Sequence, residues 1–302
     1  MATFSKPAEP RVPVSAGPVF GQVAGPSPWV ERAHRPVFIL FLLCAAFNLA
    51  LLFLQGSSPP PRRASETWHA LGCWPDGCLL ASALATSMLA LARRLPMQNV
   101  LTATSLITGL AGILLGVSAW TGIPFGPIVF TENTGFLIGG RLPWTLPLWW
   151  VVLLLNGRGV ARLIMRPWRK TPFYGFWVIG ITAALLVVFD LGLEPFAVFA
   201  RDYWIWRTPP RVLAWYTAPW VNFMTWFVTA SAILVFSVPW LINKNPVKRP
   251  MDYHPLIVWL VLNAWLALGN GLQARWPATA VTVVLGIIVT VQAVRGAQWG
   301  AK

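Results

Sequence analysis

Acidic residues are scarce in this chain: nine Asp and Glu stand against 23 Lys and Arg in 302 residues. Charged residues of both signs make up only 11%, well under half of what a soluble domain carries. An ordinary soluble fold is therefore excluded. Histidine is scarce too, and His34, His69 and His254 are scattered, which excludes the His-rich iron cluster of a membrane desaturase. Of three cysteines, Cys44 lies inside an apolar run and reads as a packing residue. Cys73 and Cys78, in GCWPDGC, would form a disulfide if that loop faced an oxidising compartment. Two thiols and a distant His69 make no recognisable metal-ligand set. No phosphate-binding glycine loop and no nucleophile elbow are present. What remains is cofactor-free acid–base chemistry, or binding without chemistry.

Hydrophobic residues are abundant, at 56%, and the mean hydropathy is +0.62. Apolar runs long enough to cross a bilayer recur along the chain. They are continuous rather than alternating, which argues for helices and against a β-barrel. The expected fold is all-α, a polytopic bundle of about eight spans near 37–54, 77–92, 100–120, 142–157, 173–193, 219–242, 255–273 and 278–294. The fourth carries Pro143 and Pro147, so a tilted or partly re-entrant course is expected there. Residues 1–36, polar and rich in Pro and Gly without an apolar leader, read as a disordered cytoplasmic tail. Residues 37–296 form a single transmembrane domain, and 297–302 a short C-terminal tail. No inserted soluble domain and no internal repeat is evident. The 19 Trp suit the membrane–water boundary.

The net charge of +14 has a topological reading. With eight spans, 16 of the 23 Lys and Arg fall on the side that holds both termini. The positive-inside rule makes that side cytoplasmic, most simply in a bacterial cytoplasmic membrane. Arg158, Arg162, Arg166, Arg169 and Lys170 form the strongest anchor and read as contacts to membrane lipid. No nucleic-acid partner is implied.

The acids show the opposite bias: Glu132, Asp190, Glu194 and Asp202 fall at or beyond the non-cytoplasmic ends of spans. Asp190 and Glu194 sit four apart in LLVVFDLGLEPF and share a face if the helix continues. Pro195 is a natural stop, and Gly192 leaves the local geometry open. A carboxyl at membrane depth stays protonated, pairs with a cation or faces a wet cavity. A protonated carboxyl beside apolar substrate is a ready general acid. The alternative is a bilayer-edge cap paired with Arg201 or Arg207. Directly after follow Trp204, Trp206, Trp215, Tyr216, Trp220, Asn222 and Trp226, a set suited to an electron-rich apolar substrate or to cation–π stabilisation of a carbocation. An interfacial aromatic belt is the simpler explanation. The Gly- and Pro-rich stretch Trp120 to Trp144 offers Thr121, Thr131, Glu132 and Asn133 to the same side, either as cavity lining or as an ordinary surface loop.

At these two stretches the chain resembles the membrane-bound carotenoid biosynthesis family that includes the carotenoid 1,2-hydratases. The resemblance runs from about Gly109 to Asn243. It rests on TGIPFG (Thr121 to Gly126), Thr131, Gly135, Gly140, Pro143 and Pro147 with Trp149, then DLGLEP (Asp190 to Pro195), WIW (Trp204 to Trp206), and Pro219 with NFMTW (Asn222 to Trp226). The resemblance implies hydration of the terminal C1–C2 double bond of an acyclic carotenoid end group, without a redox cofactor. It implies Asp190 as the acid, Glu194 or Glu132 polarising the water, and Asn222 orienting it. Phe125, Phe130, Trp204, Trp206, Tyr216, Phe223 and Trp226, with Asn222, are then the expected substrate contacts. Other carotenoid biosynthesis enzymes are candidate partners. The chain departs from the family at Phe189, usually Trp; at Glu194, commonly Asp; at Pro127 to Phe130, where tyrosines are expected; and at Thr225, usually Gly.

Two competing readings have weaker support. The Asp-x-x-x-Glu spacing suggests an intramembrane prenyltransferase, which needs a second acidic motif to hold Mg²⁺ and diphosphate; the chain offers one. A carotenoid- or lipid-binding protein, or a transporter, would use the same aromatic pocket without catalysis, but the inverted repeats common in transporters are not evident.

Overall fold

A computed structural model describes residues 28–56, 66–209, 211–243 and 251–299, the side chains of 66–75 excepted. The described chain is dominated by eight helices: α1 (Pro28–Gln55), α2 (Glu66–Ala92), α3 (Met97–Thr121), α4 (Leu146–Ile164), α5 (Tyr174–Pro195), α6 (Trp220–Ser237), α7 (His254–Leu272) and α8 (Trp276–Gln298). Each overlaps one of the eight apolar runs, but α4 starts four residues after the expected 142, and α6 ends at Ser237, where a 3₁₀ turn takes up Val238–Leu241 of the expected span. Among the described residues six helices, all but α2 and α4, are long and apolar enough to cross a membrane. The described stretch Asp76–Ala92 of α2 is apolar but shorter than a span, and α4 carries Asn156, Arg158 and Arg162.

Prolines mark the starts of three helices. α4, α7 and α8 each hold a proline in the first turn, where its missing N–H costs nothing. Pro143 lies in a short hairpin ahead of α4 and Pro147 inside its first turn, so the two shape the approach to this helix and do not break it. α1 begins at Pro28, ahead of the expected boundary, so 28–36 are helical and not tail. GCWPDGC, expected as a loop, is helical and belongs to α2. The expected Cys73–Cys78 pairing involves a side chain outside the described residues.

Consecutive helices run in opposite directions. At one end of the bundle Arg93, after α2, pairs with Glu31 in the first turn of α1, and Arg94 pairs with Asp252 just before α7. At the other end lie the long connections 122–145 and 201–219. α4 is the central helix: residues 150–157 are all buried, and it packs on α2, α3, α5, α7 and α8. Its polar groups are spent internally. Asn156 donates to Ser87 Oγ and to the Val152 carbonyl, both at 2.7 Å. Arg158, expected as a surface anchor, is buried and donates to the Leu241 carbonyl at 3.0 Å; Arg162, Arg169 and Lys170 are exposed as expected.

Three two-stranded antiparallel ribbons shape the far end. β1 (Ile128–Phe130) pairs with β4 (Trp204–Trp206), β2 (Leu137–Ile138) with β3 (Leu142–Pro143), and β5 (Ala214–Trp215) with β6 (Ala218–Pro219). The β1–β4 ribbon ties the two long connections together over the ends of α5 and α6.

Candidate active site

α5 does not stop at Gly192 but continues to Pro195 and passes into a π-helical turn, Phe196–Ala200. Gly192 allows this path. A Cβ there would lie 2.4 Å from Thr282 Oγ1, so α5 and α8 approach closely only because position 192 has no side chain. Asn270 donates to the Gly192 carbonyl at 2.8 Å. Pro195 has no N–H for the carbonyl four residues back, that of Leu191. Trp215 supplies the donor, with its indole Nε1 2.9 Å from that oxygen.

On this helix Asp190 and Glu194 share the face turned to α6, as their spacing predicts. The Asn222 amide bridges them, 2.9 Å from Asp190 Oδ2 and 2.9 Å from Glu194 Oε1. One NH₂ has two hydrogens, and both are used. Glu194 Oε2 accepts from two further donors, Trp206 Nε1 at 2.7 Å and Trp204 Nε1 at 3.1 Å. These indoles come from one strand. In WIW the side chains alternate, so Trp204 and Trp206 are buried on one face while Ile205 points out. Asp190 is fully buried and Glu194 is 3% exposed. Among the described residues neither meets a cation; Arg201 pairs elsewhere, and Arg207 is exposed.

The TGIPFG turn completes this wall. Gly126 has φ +118°, and a Cβ there would sit 3.1 Å from both the Trp206 ring and Pro219. Glycine is thus required for backbone conformation and for room. Thr225 Oγ1 holds the turn by donating to the Pro124 carbonyl at 3.0 Å. Thr131 and Asn133 clamp the two connections: the Thr131 hydroxyl donates to the Asp202 carbonyl, and Asn133 Nδ2 lies 3.3 Å from the carbonyls of Arg201 and Asp202.

Two cavities lie near the pair, and only the smaller is lined by one of the two carboxyls, Glu194. The smaller, about 30 Å³, is lined by Glu194, Asn222, Trp204, Trp206, Phe125 and Phe130 among others. At roughly 10–15 Å³ per water this is space for about two waters beside a carboxyl, an amide and indole donors. The larger, about 440 Å³, is mostly apolar and aromatic, with Phe189, Leu193, Trp149, Trp150, Trp226 and Trp265 in its walls. Leu146, Trp150, Trp204 and Trp226 line both. The Trp150 and Trp226 rings stack with centroids 4.6 Å apart. Trp150 is fully buried, and its Nε1 has no acceptor among the described residues.

Most expected residues meet here; others do not. Asp190 lines neither cavity. Its Oδ1 is buried without a partner among the described residues, and it reaches Glu194 through Asn222. Glu132 is exposed on a 3₁₀ turn, whose neighbours Asn133 and Thr134 face the larger cavity instead. A reverse turn opening with Thr131 projects its acid to the surface. Phe223 is buried against Trp204, Trp206 and Ala218, behind the cavity wall. Tyr216 stacks edge-on with Phe199 and Trp215, and its hydroxyl accepts from the Ala278 N–H at 3.3 Å; it holds α8 and faces neither cavity.

One polar cluster was not anticipated. Arg201 is buried and pairs with Asp76 Oδ1 at 3.0 Å, donates to Gln55 Oε1 at 3.0 Å, and lies over the Trp265 ring. The Tyr203 hydroxyl donates to Asp76 Oδ2. Asp76 and Tyr203 both line the larger cavity. In the sequence Asp76 sits in a Pro-Asp-Gly string that reads as a turn, and only the fold brings it beside Arg201.

The description of the family whose model matches residues 77–291 is "Carotenoid biosynthesis protein". A protein of Haloarcula japonica named bisanhydrobacterioruberin hydratase is 30% identical over 176 residues, which is 57% of this chain and 56% of that protein. The match thus spans little more than half the length of that relative. No solved structure matches the chain. The family match covers the carboxyl pair, its indole and amide donors, the smaller cavity and all of the larger one's lining but Asp76, and the chain belongs to the carotenoid biosynthesis protein family.

Proposed function

We propose that this chain is a membrane enzyme that adds water to the terminal C1–C2 double bond of an acyclic carotenoid end group. The observation that carries the reading is the pairing of a two-water polar cavity at Glu194 with an aromatic chamber on the other side of a shared tryptophan wall. The name of the Haloarcula relative supports the same class of reaction.

In this reading the carboxyl pair supplies the proton, and Glu194 is the member that lines the smaller cavity, which the end group reaches past the shared Trp150, Trp204 and Trp226 wall. A proton moves from the carboxyl to C2, and the π electrons of the double bond form the new C–H bond. A tertiary cation is left at C1, and the faces of Trp150, Trp204 and Trp226 stabilise it. Water in the small cavity then attacks C1, and its surplus proton returns to the carboxylate. The sum is the alkene plus water giving a tertiary alcohol. Asn222 orients the pair, and the Trp150 N–H is a donor available to the water. Asp190 acts through Asn222 as a proton reserve. No redox cofactor or metal enters this scheme.

We further propose that all eight helices cross the membrane, with both termini on the cytoplasmic side of a bacterial cytoplasmic membrane. The alternating helix directions and the Lys and Arg excess at the end holding Arg93 and Arg94 support this. The single helical domain then offers the carboxyl pair at the opposite side, and other carotenoid biosynthesis enzymes are the expected suppliers of its substrate.

The test is pigment analysis of a lycopene-producing bacterial host with and without the protein. A product heavier by one water, absent with Glu194→Gln, is expected. A well-expressed protein that binds acyclic carotenoids but converts none would overturn hydration and favour a carotenoid-binding role.

A further inference from the structure

The aromatic chamber has an outer end that the chemistry above does not use. Its lining residues Gly77, Cys78 and Ala81 are exposed, and all lie on one side of α2. Opposite them stands Trp144, 51% exposed, at the junction of β3 and α4, with Thr145 and Gly135 beside it. The four exposed residues mark a mouth. It opens on the flank of α2, within the described apolar stretch Asp76–Ala92. At the inner end, Trp150, Trp204 and Trp226 separate the chamber from Glu194 and Asn222.

A cavity of about 440 Å³ holds a drug-sized molecule. It takes the end group and first isoprene units of a long polyene, not its whole length. The remainder must leave through an opening that is apolar and wide enough for a conjugated chain. Small side chains on α2 provide width, and the Trp144 ring provides a flat wall. A mouth on a helix flank also spares the polyene passage through water, where its apolar surface would cost about 25 cal/mol per Å².

We propose that the cleft between α2 and Trp144 is a lateral portal, through which one end of an acyclic polyene enters from the bilayer while the rest of the chain stays in lipid. The portal rests on the proposed function for the identity of its occupant. It makes a separate claim: a long polyene binds end-on, one end group at a time, past Cys78.

Cys78 is the natural probe. In a protein with Cys44→Ser and Cys73→Ser, reconstituted in lipid nanodiscs, Cys78 is modified with a bulky aromatic maleimide. Lycopene binding is read by quenching of tryptophan fluorescence, which requires no turnover. Modification is expected to weaken binding at least tenfold, and bound lycopene to slow labelling by a similar factor. An identical maleimide on Ile113→Cys, exposed on α3, is expected to change neither. Ala81→Trp tests the same cleft without reagent and is expected to reduce binding likewise.

Unchanged affinity after complete modification of Cys78, with no protection by lycopene, would overturn the portal. If the blocked protein still hydrates its substrate, the portal fails and hydration stands. If binding is blocked at Cys78 but the unmodified protein never converts bound polyene, hydration fails and the portal stands. Absence of lycopene binding to the unmodified protein would overturn the assigned occupant, and the portal with it.

Discussion

Trp206 directs its indole Nε1 at Glu194 Oε2 from 2.7 Å, across twelve residues of sequence. Together with Trp204 this gives a buried carboxyl two fixed donors and no cation among the described residues. Such a pair holds the Glu194 side chain in one orientation while leaving its other oxygen to Asn222. Trp206→Phe keeps an aromatic ring but removes the indole donor and leaves a void where the pyrrole ring was. A buried acceptor that loses a partner costs about 1–3 kcal/mol. Thermal unfolding in detergent is expected to show a destabilisation of that order, with a larger loss for the Trp204→Phe, Trp206→Phe double variant.

Glu194→Gln keeps the shape of the side chain but cannot deliver a proton. If Glu194 is the acid facing the end group, hydration falls by about 10²–10⁴-fold, the usual range for removal of a general acid. Lycopene binding, read by fluorescence quenching, stays within a factor of a few. Asp190→Asn is expected to lower the rate less, because Asp190 lines neither cavity. Equal hydration by Glu194→Gln and wild type would remove Glu194 from the mechanism.

The Trp215 indole answers a need created by Pro195. Trp215→Phe leaves the Leu191 carbonyl without its side-chain donor, at a cost of about 1–3 kcal/mol. Pro195→Ala restores an N–H that can serve the same carbonyl. A double-mutant cycle is therefore expected to be non-additive, with Trp215→Phe costing less in the Pro195→Ala background. Strict additivity would show that the two residues do not share this oxygen.

Gly192→Ala would drive a methyl to 2.4 Å from Thr282 Oγ1. Overpacking of this kind costs about 1–3 kcal/mol, and here it would also push the carboxyl-bearing turns of α5 away from α8. Thr282→Ala removes the clashing oxygen and is expected to rescue much of the loss. The pair is read by unfolding temperature first and by hydration rate second.

At the opposite end, burial alone would push the Asp252 carboxyl up. The hydrogen bond with His254 and the Arg94 guanidinium outweigh burial and hold it below the usual carboxylate range. A carboxyl depressed on folding stabilises the fold above its unfolded value, near 3.9. That contribution is lost as pH falls through the folded value. Asp252→Asn is expected to lower stability at neutral pH and to flatten its decline below about pH 4. Unfolding followed across pH 2–6 checks both signs.

The sequence by itself determined the class of this protein and the position of its helices. Eight apolar runs are a strong signal, because burial in lipid or core demands them wherever a helix passes. It also set Asp190 and Glu194 on one face on the condition that the helix continues past Gly192, and the structure supplies that continuation. DLGLEP, WIW and NFMTW, read in the sequence as marks of a family resemblance, lie together in the fold, and the strand alternation that puts both indoles on one side is visible only there. What only the tertiary structure decided is which groups meet across the sequence. Asp76 reads as a turn residue until Arg201, 125 positions away, lies against it. Glu132 resembles a third site acid until the turn at Thr131 projects it outward. Asn222 joins two carboxyls because α5 and α6 pack at one angle. Tyr216 and Phe223 face away because a loop and a helix, not composition, set their direction. Local periodicity fixes a side chain's face on its own element; the docking of elements decides what that face meets.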